Sequence, residues 1–253
     1  MIPLRDENPL RITPWLTYLL IAANVGIFLL EFTGGLGQSE TGFVGALAGY
    51  SMVPAEITRG IDLPTNGVTV RPLWLSLFSC MFLHGGWLHL LGNMLYLFIF
   101  GNNIEEALGR VRFVLFYLLC GLCASAAQIA VSPGSVIPNL GASGAIAGVL
   151  GAYLVLFPTA KVDTLAFLAI FITRLRVPAF VILGFWIVSQ FFSQFLGSQA
   201  TEGESGGVAY MAHIGGFVAG MILIKLMGGK APAPSPYGAY DVPDIHTGAN
   251  YRR

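Results

Sequence analysis

The chain has 253 residues, of which 55% are hydrophobic and only 10% are charged. Because soluble domains usually have about 25% charged residues, this composition excludes an ordinary soluble protein and predicts several crossings of a lipid bilayer. The formal net charge is zero, so no basic surface suggests a nucleic-acid partner. Cys80, Cys120 and Cys123 lie in apolar runs without metal-type spacing, so we interpret them as core residues.

Apolar windows predict six membrane-spanning helices and therefore an all-α membrane protein. The predicted spans are residues 15–30, 87–104, 111–131, 143–157, 177–196 and 208–227. The apolar run 73–83 is too short to cross, and we expect it to lie at the outer interface or to dip into the protein. The run 165–172 is shorter still, and we expect it to lie in the membrane interface.

These spans divide the chain into three parts. Residues 1–14 are polar and lack a signal-peptide pattern, so we predict a cytoplasmic N-terminal segment that is retained. Residues 15–228 form the six-helix domain. Residues 229–253 are rich in Pro, Gly, Ala and Tyr, and we predict a disordered cytoplasmic tail.

The positions of Lys and Arg predict the orientation. With six spans, only Arg59 and Arg71 of the 13 basic residues fall on the side opposite the termini. Acidic residues divide almost evenly between the two sides. Since Lys and Arg concentrate on the cytoplasmic side of membrane proteins, both termini are predicted to be cytoplasmic.

This orientation brings four polar side chains to one depth near the outer surface. Ser143 begins the fourth span, and His213 lies about 8 Å inside the outer end of the sixth, at 1.5 Å per residue. His89 and Asn93 lie in the outer half of the second span, four residues apart and hence on one helix face. Polar groups inside a membrane usually face the interior of the bundle or a wet cavity.

These residue types match hydrolytic chemistry. A serine with a histidine in reach is a nucleophile with a base, and an amide can stabilise an oxyanion. No acid lies at this depth, so a Ser–His dyad is predicted rather than a triad. On the residues alone, other interpretations stay open. Ser143 could be a helix N-cap, His213 could bond a backbone carbonyl, and His89 and Asn93 could link neighbouring helices.

Glycines accompany both candidate catalytic residues. Gly144 and Gly148 share one face of the fourth span, and Gly216 and Gly220 share one face of the sixth. Small residues at this spacing let membrane helices approach closely. We therefore predict that the two spans pack together and bring Ser143 and His213 into hydrogen-bond range.

The motifs in these spans resemble those of the rhomboid family of intramembrane serine proteases. Gly141-Ala142-Ser143-Gly144 resembles the family's G-x-S-G nucleophile motif, and residues 212–220 resemble its A-H-x-x-G-x-x-x-G motif. Residues 82–93, with His84, Trp87, His89 and Asn93, resemble the second-helix motif, and Glu105-xxx-Gly109 resembles the E-x-x-x-G that follows it. The resemblance covers nearly the whole chain from the first span to the sixth.

The resemblance implies a six-helix rhomboid-like bundle that cleaves transmembrane proteins within or near their membrane segments. It implies Ser143 as nucleophile, His213 as general base and acid, and His89 and Asn93 as oxyanion-stabilising residues. It also implies that a single-span substrate enters between the second and fifth helices, where Phe185 and Trp186 could contribute to a gate. Without the resemblance, both aromatic residues are most simply bulk that faces lipid or a neighbouring helix.

Two features depart from some family members. A Tyr that stacks on the catalytic His is replaced by Ala147, and no Trp-Arg pair occurs between Thr33 and Gly86. The sequence therefore does not indicate what orients His213.

The predicted partners are transmembrane substrates and the lipid bilayer, in a bacterial cell membrane, without nucleic acid, cofactor or metal. The alternatives are a catalytically silent rhomboid-like protein that binds transmembrane helices, a small transporter, and a metal site at His84, His89 and His213. The sequence shows no paired broken helices and no internal repeat of the kind found in transporters, which argues against a transporter. It also has no H-E-x-x-H motif, which argues against a metalloprotease. The sequence does not indicate an oligomeric state.

Overall fold

The computed structural model describes residues 2–33, 49–61, 63, 72–168, 171–197 and 209–232, and it is mostly helical. The helices are α1 Trp15–Phe32, α2 Pro54–Arg59, α3 Leu73–Phe82, α4 Trp87–Leu108, α5 Arg110–Val131, α6 Ser143–Leu156, α7 Ala179–Gly197 and α8 Tyr210–Leu226. The strands are β1 Ile2–Asp6, β2 Lys161–Leu168 and β3 Phe171–Pro178. Helix α3 is partly 3₁₀-helical, and α4 contains a π-helical stretch at Leu97–Gly101.

Several helices are suited to a bilayer. Among the described residues, three helices, α1, α5 and α7, are at least 18 residues long and apolar enough to cross a membrane. Helices α3 and α4 meet at 80° and would add a fourth crossing as one broken span. Helices α6 and α8 are apolar but have only 14 and 17 residues. Length and composition therefore support three or four of the six predicted spans.

The all-α prediction omitted a three-stranded antiparallel sheet with the order β1-β2-β3. The run 165–172 was predicted to lie in the membrane interface, but residues 165–168 belong to β2 and residues 171–172 to β3, two strands in which Lys161 pairs with Pro178. Alternate residues Val162, Thr164 and Ala166 are fully buried, as expected for a strand with one face on the core. Pro178 consequently ends β3, and α7 begins at Ala179 rather than at residue 177.

The N-terminal segment is part of the folded structure. Strand β1 pairs with β2 from Ile2 opposite Leu165 to Asp6 opposite Val162. The Asp6 carboxylate accepts hydrogen bonds from Tyr153 Oη at 2.8 Å, Asn103 Nδ2 at 2.8 Å and Asn8 Nδ2 at 3.1 Å. Burial raises the pKa of Asp6, and these three hydrogen bonds oppose that rise. Asp6 thus connects the sheet to α4 and α6. Most of the predicted disordered tail, residues 233–253, lies outside the described residues.

Glu105 begins the E-x-x-x-G motif and has a structural role at the start of α1. Its carboxylate is fully buried and accepts hydrogen bonds from the backbone N–H of Leu16 and Thr17 and from the Thr17 hydroxyl, at 3.1, 2.7 and 2.8 Å. First-turn amides have no carbonyl partner within their own helix, and a negative charge there is favoured by the helix dipole. Gly109 has a φ of +75°, which allows the sharp turn from α4 into α5.

Helix α6 is the centre of the bundle, because all ten residues from Gly144 to Tyr153 are buried. A methyl group at Gly216 of α8 would overlap the carbonyl oxygen of Gly144, and one at Gly220 would overlap the backbone of Gly148. The predicted close packing between these two glycine pairs is therefore confirmed. Because lipid tails are as apolar as the side chains, the hydrophobic effect does not drive membrane helices together. Close backbone packing of this kind is therefore a main source of helix–helix association.

Helix α3 dips into the protein, which is one of the two positions predicted for this run. Cys80 and Met81 are buried, and Met81 packs closely over Gly121 of α5. The Cys80 carbonyl accepts a 2.8 Å hydrogen bond from the Gly141 amide. Helix α3 thereby supports the loop that leads into α6.

Candidate active site

The beginnings of α6 and α8 place a serine against a histidine. Ser143 Oγ and His213 Nε2 are 2.8 Å apart, within hydrogen-bond distance, although the two residues are 70 positions apart in sequence. The glycine contacts between the helices make this approach possible, since larger side chains would hold the backbones apart. The structure therefore brings together the two residues predicted to form a dyad.

Ser143 does not act as a capping side chain. It is the first residue of α6, after Ala142, and the helix start has no side-chain cap hydrogen bond. The hydroxyl is directed to His213 instead. Uncapped amides in the first turn of α6 give this end of the helix a partial positive charge beside the hydroxyl.

His89 reaches the same place through Gly141. Gly141 has a φ of +119°, and a Cβ there would lie 2.7 Å from His89 Nε2 and 3.6 Å from Ser143 Oγ. Only glycine lets the imidazole and the hydroxyl share this position. The Gly85 N–H donates to His89 Nδ1 at 3.4 Å, so Nε2 carries the proton and is available as a donor near Ser143.

Asn93 lies one turn after His89 and lines the same cavity. It is only 8% exposed, and its Nδ2 has no hydrogen-bond partner among the described residues. Buried polar groups are normally paired, so an amide donor left unpaired at a cavity wall is suited to a ligand atom. All four predicted site residues therefore meet at this cavity.

The second nitrogen of His213 has a partner that the sequence analysis did not identify. Gln190 of α7 places its Oε1 2.8 Å from His213 Nδ1. Trp186, one turn earlier on the same helix, packs its ring against the imidazole with centroids 5.8 Å apart. Gln190 is a polar residue in an apolar span at a depth similar to that of His213, and this was the available signal in the sequence.

His84 completes the histidine pair of the second-helix motif. It is fully buried and packs edge-on against His89, with ring centroids 5.1 Å apart. Within the described ranges, no three His, Cys, Asp or Glu side chains come together in a way that could hold a metal ion. His84 therefore packs against the ring of His89 and restricts its position.

The site opens into a cavity of about 660 Å³ between α4 and α7. Ser143, His213, His89 and Asn93 form its polar side, and Trp186 of α7 contributes an apolar wall. Phe185 is 70% exposed and lies outside this lining. The cavity has room for a short peptide segment next to the serine hydroxyl.

Comparison with known proteins identifies the fold family. The family model named Rhomboid domain matches residues 71–230, which is more than half of the chain and includes all four site residues. The chain belongs to the rhomboid family. Its helices and apolar composition agree with a membrane protein of that family.

The chain is similar to named rhomboid proteins of a bacterium and a plant. The chain is 35% identical over 142 residues to the Rhomboid protease GluP of Bacillus subtilis, an alignment that covers 56% of this chain and 24% of that protein. It is 30% identical over 156 residues to RHOMBOID-like protein 1 of Arabidopsis thaliana, covering 56% and 39%. It is 33% identical over 164 residues to RHOMBOID-like protein 5 of the same plant, covering 59% and 53%. The chain thus spans about a quarter to a half of the length of these relatives.

One departure from some rhomboid proteins has a structural counterpart. At Ala147 the chain has no aromatic ring to stack on His213, and this alanine is fully buried in α6. Trp186 of α7 packs on the imidazole instead. Parts of the loop in which no Trp-Arg pair occurs, namely residues 34–48, 62 and 64–71, lie outside the described residues.

Proposed function

We propose that this rhomboid protein is an intramembrane serine endopeptidase. In this proposal Ser143 and His213 form a catalytic dyad that cleaves transmembrane proteins within or near their membrane segments. The observation that carries it is the 2.8 Å hydrogen bond between Ser143 Oγ and His213 Nε2 at the wall of a cavity. A nucleophile within hydrogen-bond range of a base is the arrangement that covalent catalysis requires.

The reaction begins when Ser143 Oγ attacks the scissile carbonyl carbon and its proton passes to His213 Nε2. The tetrahedral intermediate collapses when the C–N bond breaks and His213 gives the proton to the leaving amine. Water then enters the cavity, His213 takes one of its protons, and the resulting hydroxide attacks the acyl carbon. The bond from that carbon to Ser143 Oγ breaks, His213 returns the proton to Oγ, and the new carboxyl end of the product leaves.

Three donors surround the expected position of the oxyanion: Asn93 Nδ2, His89 Nε2 and the backbone amide of Ser143. The unpaired state of Asn93 Nδ2 and the proton on His89 Nε2 support these roles. Donors fixed in place stabilise the developing charge without reorganisation, which is a large contribution in a site of low dielectric. The partial positive charge at the start of α6 acts in the same direction.

We further propose that all six long helices cross the bilayer and that both termini are cytoplasmic. Helix α4 has His89 of the site in its first turn and Glu105 near its other end, where the Glu105 carboxylate binds the start of α1. Helix α6 begins at Ser143 and places Tyr153 against the sheet. This alternation supports a bundle with the site at the outer end and the sheet at the cytoplasmic end, as the distribution of Lys and Arg predicts. A bacterial cell membrane is the proposed location.

The proposed substrate is a single-span protein with a locally unstable helix and a small residue before the cut. The cavity extends between α4 and α7, which supports access by way of this gap, with Trp186 at its inner wall and the exposed Phe185 nearby on α7. The substrate segment next to Ser143 must be extended, because in an α-helix the carbonyl groups already accept backbone hydrogen bonds and are not accessible to the hydroxyl.

The test is cleavage of such a substrate by the protein reconstituted in liposomes. Wild type and Ser193→Ala, which removes a hydroxyl from α7, should cleave. Ser143→Ala, His213→Ala and the double variant should be equally inactive, since members of one catalytic unit are not additive. Cleavage by Ser143→Ala would overturn the proposed mechanism, and a folded wild type that binds but never cuts any of these substrates would favour the silent helix-binding alternative.

A further inference from the structure

The side of His213 that faces away from Ser143 is in contact with the amide of Gln190. The distance from Gln190 Oε1 to His213 Nδ1 is 2.8 Å, equal to the distance on the Ser143 side. The imidazole is therefore held at both nitrogens by residues from two different helices, α6 and α7. Which nitrogen carries the proton depends on which end of the Gln190 amide faces it.

The neighbours of Gln190 determine the orientation of its amide. Its Nε2 lies 3.3 Å from the Trp186 carbonyl oxygen and 3.1 Å from Ser189 Oγ. The Ser189 hydroxyl donates to that same carbonyl at 2.6 Å, so its oxygen is left to accept. A carbonyl oxygen can only accept, and therefore the NH₂ end of Gln190 must face Trp186 and Ser189. Oε1 is then the atom that faces His213, and it too can only accept.

We propose that Gln190 is a positioning residue that holds His213 in the Nδ1–H tautomer. With the proton on Nδ1, Nε2 has a lone pair directed at Ser143 Oγ and can accept its proton. When the imidazolium forms, Oε1 still accepts from Nδ1–H and the ring does not rotate. The inference rests on the proposed function for its catalytic consequence, but the tautomer itself is a property of the resting protein.

A neutral acceptor is suited to this depth. A carboxylate, which orients the base in a Ser–His–Asp triad, is costly to bury inside a membrane. An amide provides an acceptor of the same shape without a charge. Trp186, one turn away on α7, restricts the ring from its face while Gln190 restricts it from its edge.

The experiment compares three variants of the full chain. Gln190→Met keeps the length and volume of the side chain but removes the acceptor. Gln190→Glu keeps an acceptor oxygen facing Nδ1 whether or not the carboxyl is ionised. Gln194→Met makes the same exchange one turn further along α7 and is the matched control. Each is measured by steady-state cleavage of a transmembrane substrate, melting temperature and ¹⁵N NMR of labelled histidine, with the His213 signals assigned by their loss in His213→Ala.

We expect kcat to fall about 10- to 100-fold in Gln190→Met with KM changed less than about twofold, because general-base catalysis contributes about 10²–10⁴ and only its orientation is lost. Gln190→Glu should recover most of that loss, and Gln194→Met should match wild type. NMR should show His213 protonated at Nδ1 in wild type and a mixture of tautomers in Gln190→Met.

A wild-type spectrum with the proton on Nε2 would overturn the inference, and so would a kcat for Gln190→Met equal to that of Gln194→Met. If wild type cleaves nothing, the proposed function fails, while the wild-type spectrum still decides whether Gln190 sets the tautomer.

Discussion

At the scale of single residues, the candidate site depends on the absence of a side chain at Gly141. This residue has a φ of +119°, and its bare Cα lets His89 come next to Ser143. The backbone conformation is strained for any other residue, and a methyl group would push the His89 ring away. Gly141 thus sets the position of His89, the proposed oxyanion donor, without any polar atom in its own side chain.

The proposed role of Asn93 is testable because its Nδ2 makes no hydrogen bond within the described part of the chain that a substitution would remove. Asn93→Ala should lower kcat much more than it changes KM, since the amide binds the oxyanion more strongly than the ground-state carbonyl. Removing one such donor typically costs about 10²–10³ in turnover, and less where neighbouring donors share the charge. The measurement is steady-state cleavage in liposomes, with an unchanged melting temperature as the control. A raised KM at constant kcat would instead make Asn93 a substrate-binding residue.

At the scale of elements, the contact between α6 and α8 sets the distance between Ser143 and His213, the proposed nucleophile and base. Gly216→Ala should lower the free energy of unfolding by about 1–3 kcal/mol, because the new methyl group overlaps the backbone oxygen of Gly144. The helices must separate, so cleavage should fall as well. Gly184→Ala on α7 is the matched control, since a methyl group there meets no atom within 4 Å. Equal melting temperatures and activities for the two variants would show that the glycine faces are not in contact.

The attachment of the sheet to the helices gives a prediction about pH. The pKa of Asp6 is raised in the folded protein by burial, so folding takes up a proton between its unfolded value of about 3.9 and the raised value. Asp6 therefore destabilises the folded state increasingly as the pH rises through this range. Asp6→Asn keeps an acceptor but cannot ionise. The melting temperature of wild type should fall relative to that of Asp6→Asn as the pH is raised from about 4 to about 7. A difference that is constant or grows in favour of wild type would contradict this assignment.

At the scale of the whole molecule, the sequence predicted which polar residues come together better than it predicted the fold. The predicted alternation of helix directions places Ser143, His89, Asn93 and His213 at one depth, because depth can be counted along the chain. Gln190 satisfies the same depth criterion, but which helix faces meet depends on rotations that the sequence does not show. Its contact with His213 therefore had to come from the structure.

The sheet was missed for a different reason. The run 165–172 is apolar on successive residues, which hides the alternation that marks a half-buried strand. The pairing of β1 with β2 also joins segments more than 150 residues apart, as in the bond from the Lys161 amide to Glu7 at 2.8 Å and the pair Ile2 and Leu165. Contacts of such long range are not encoded in any local pattern.

The central claim is that Ser143 is a nucleophile activated by His213, and fluorophosphonate labelling tests it most directly. The serine oxygen attacks phosphorus, fluoride leaves, and the adduct can be located by mass spectrometry of the digested protein. The account predicts one adduct, on Ser143, that is absent from Ser143→Ala and from His213→Ala while Ser193→Ala labels normally. An adduct on another serine, or undiminished labelling of folded His213→Ala, would contradict it.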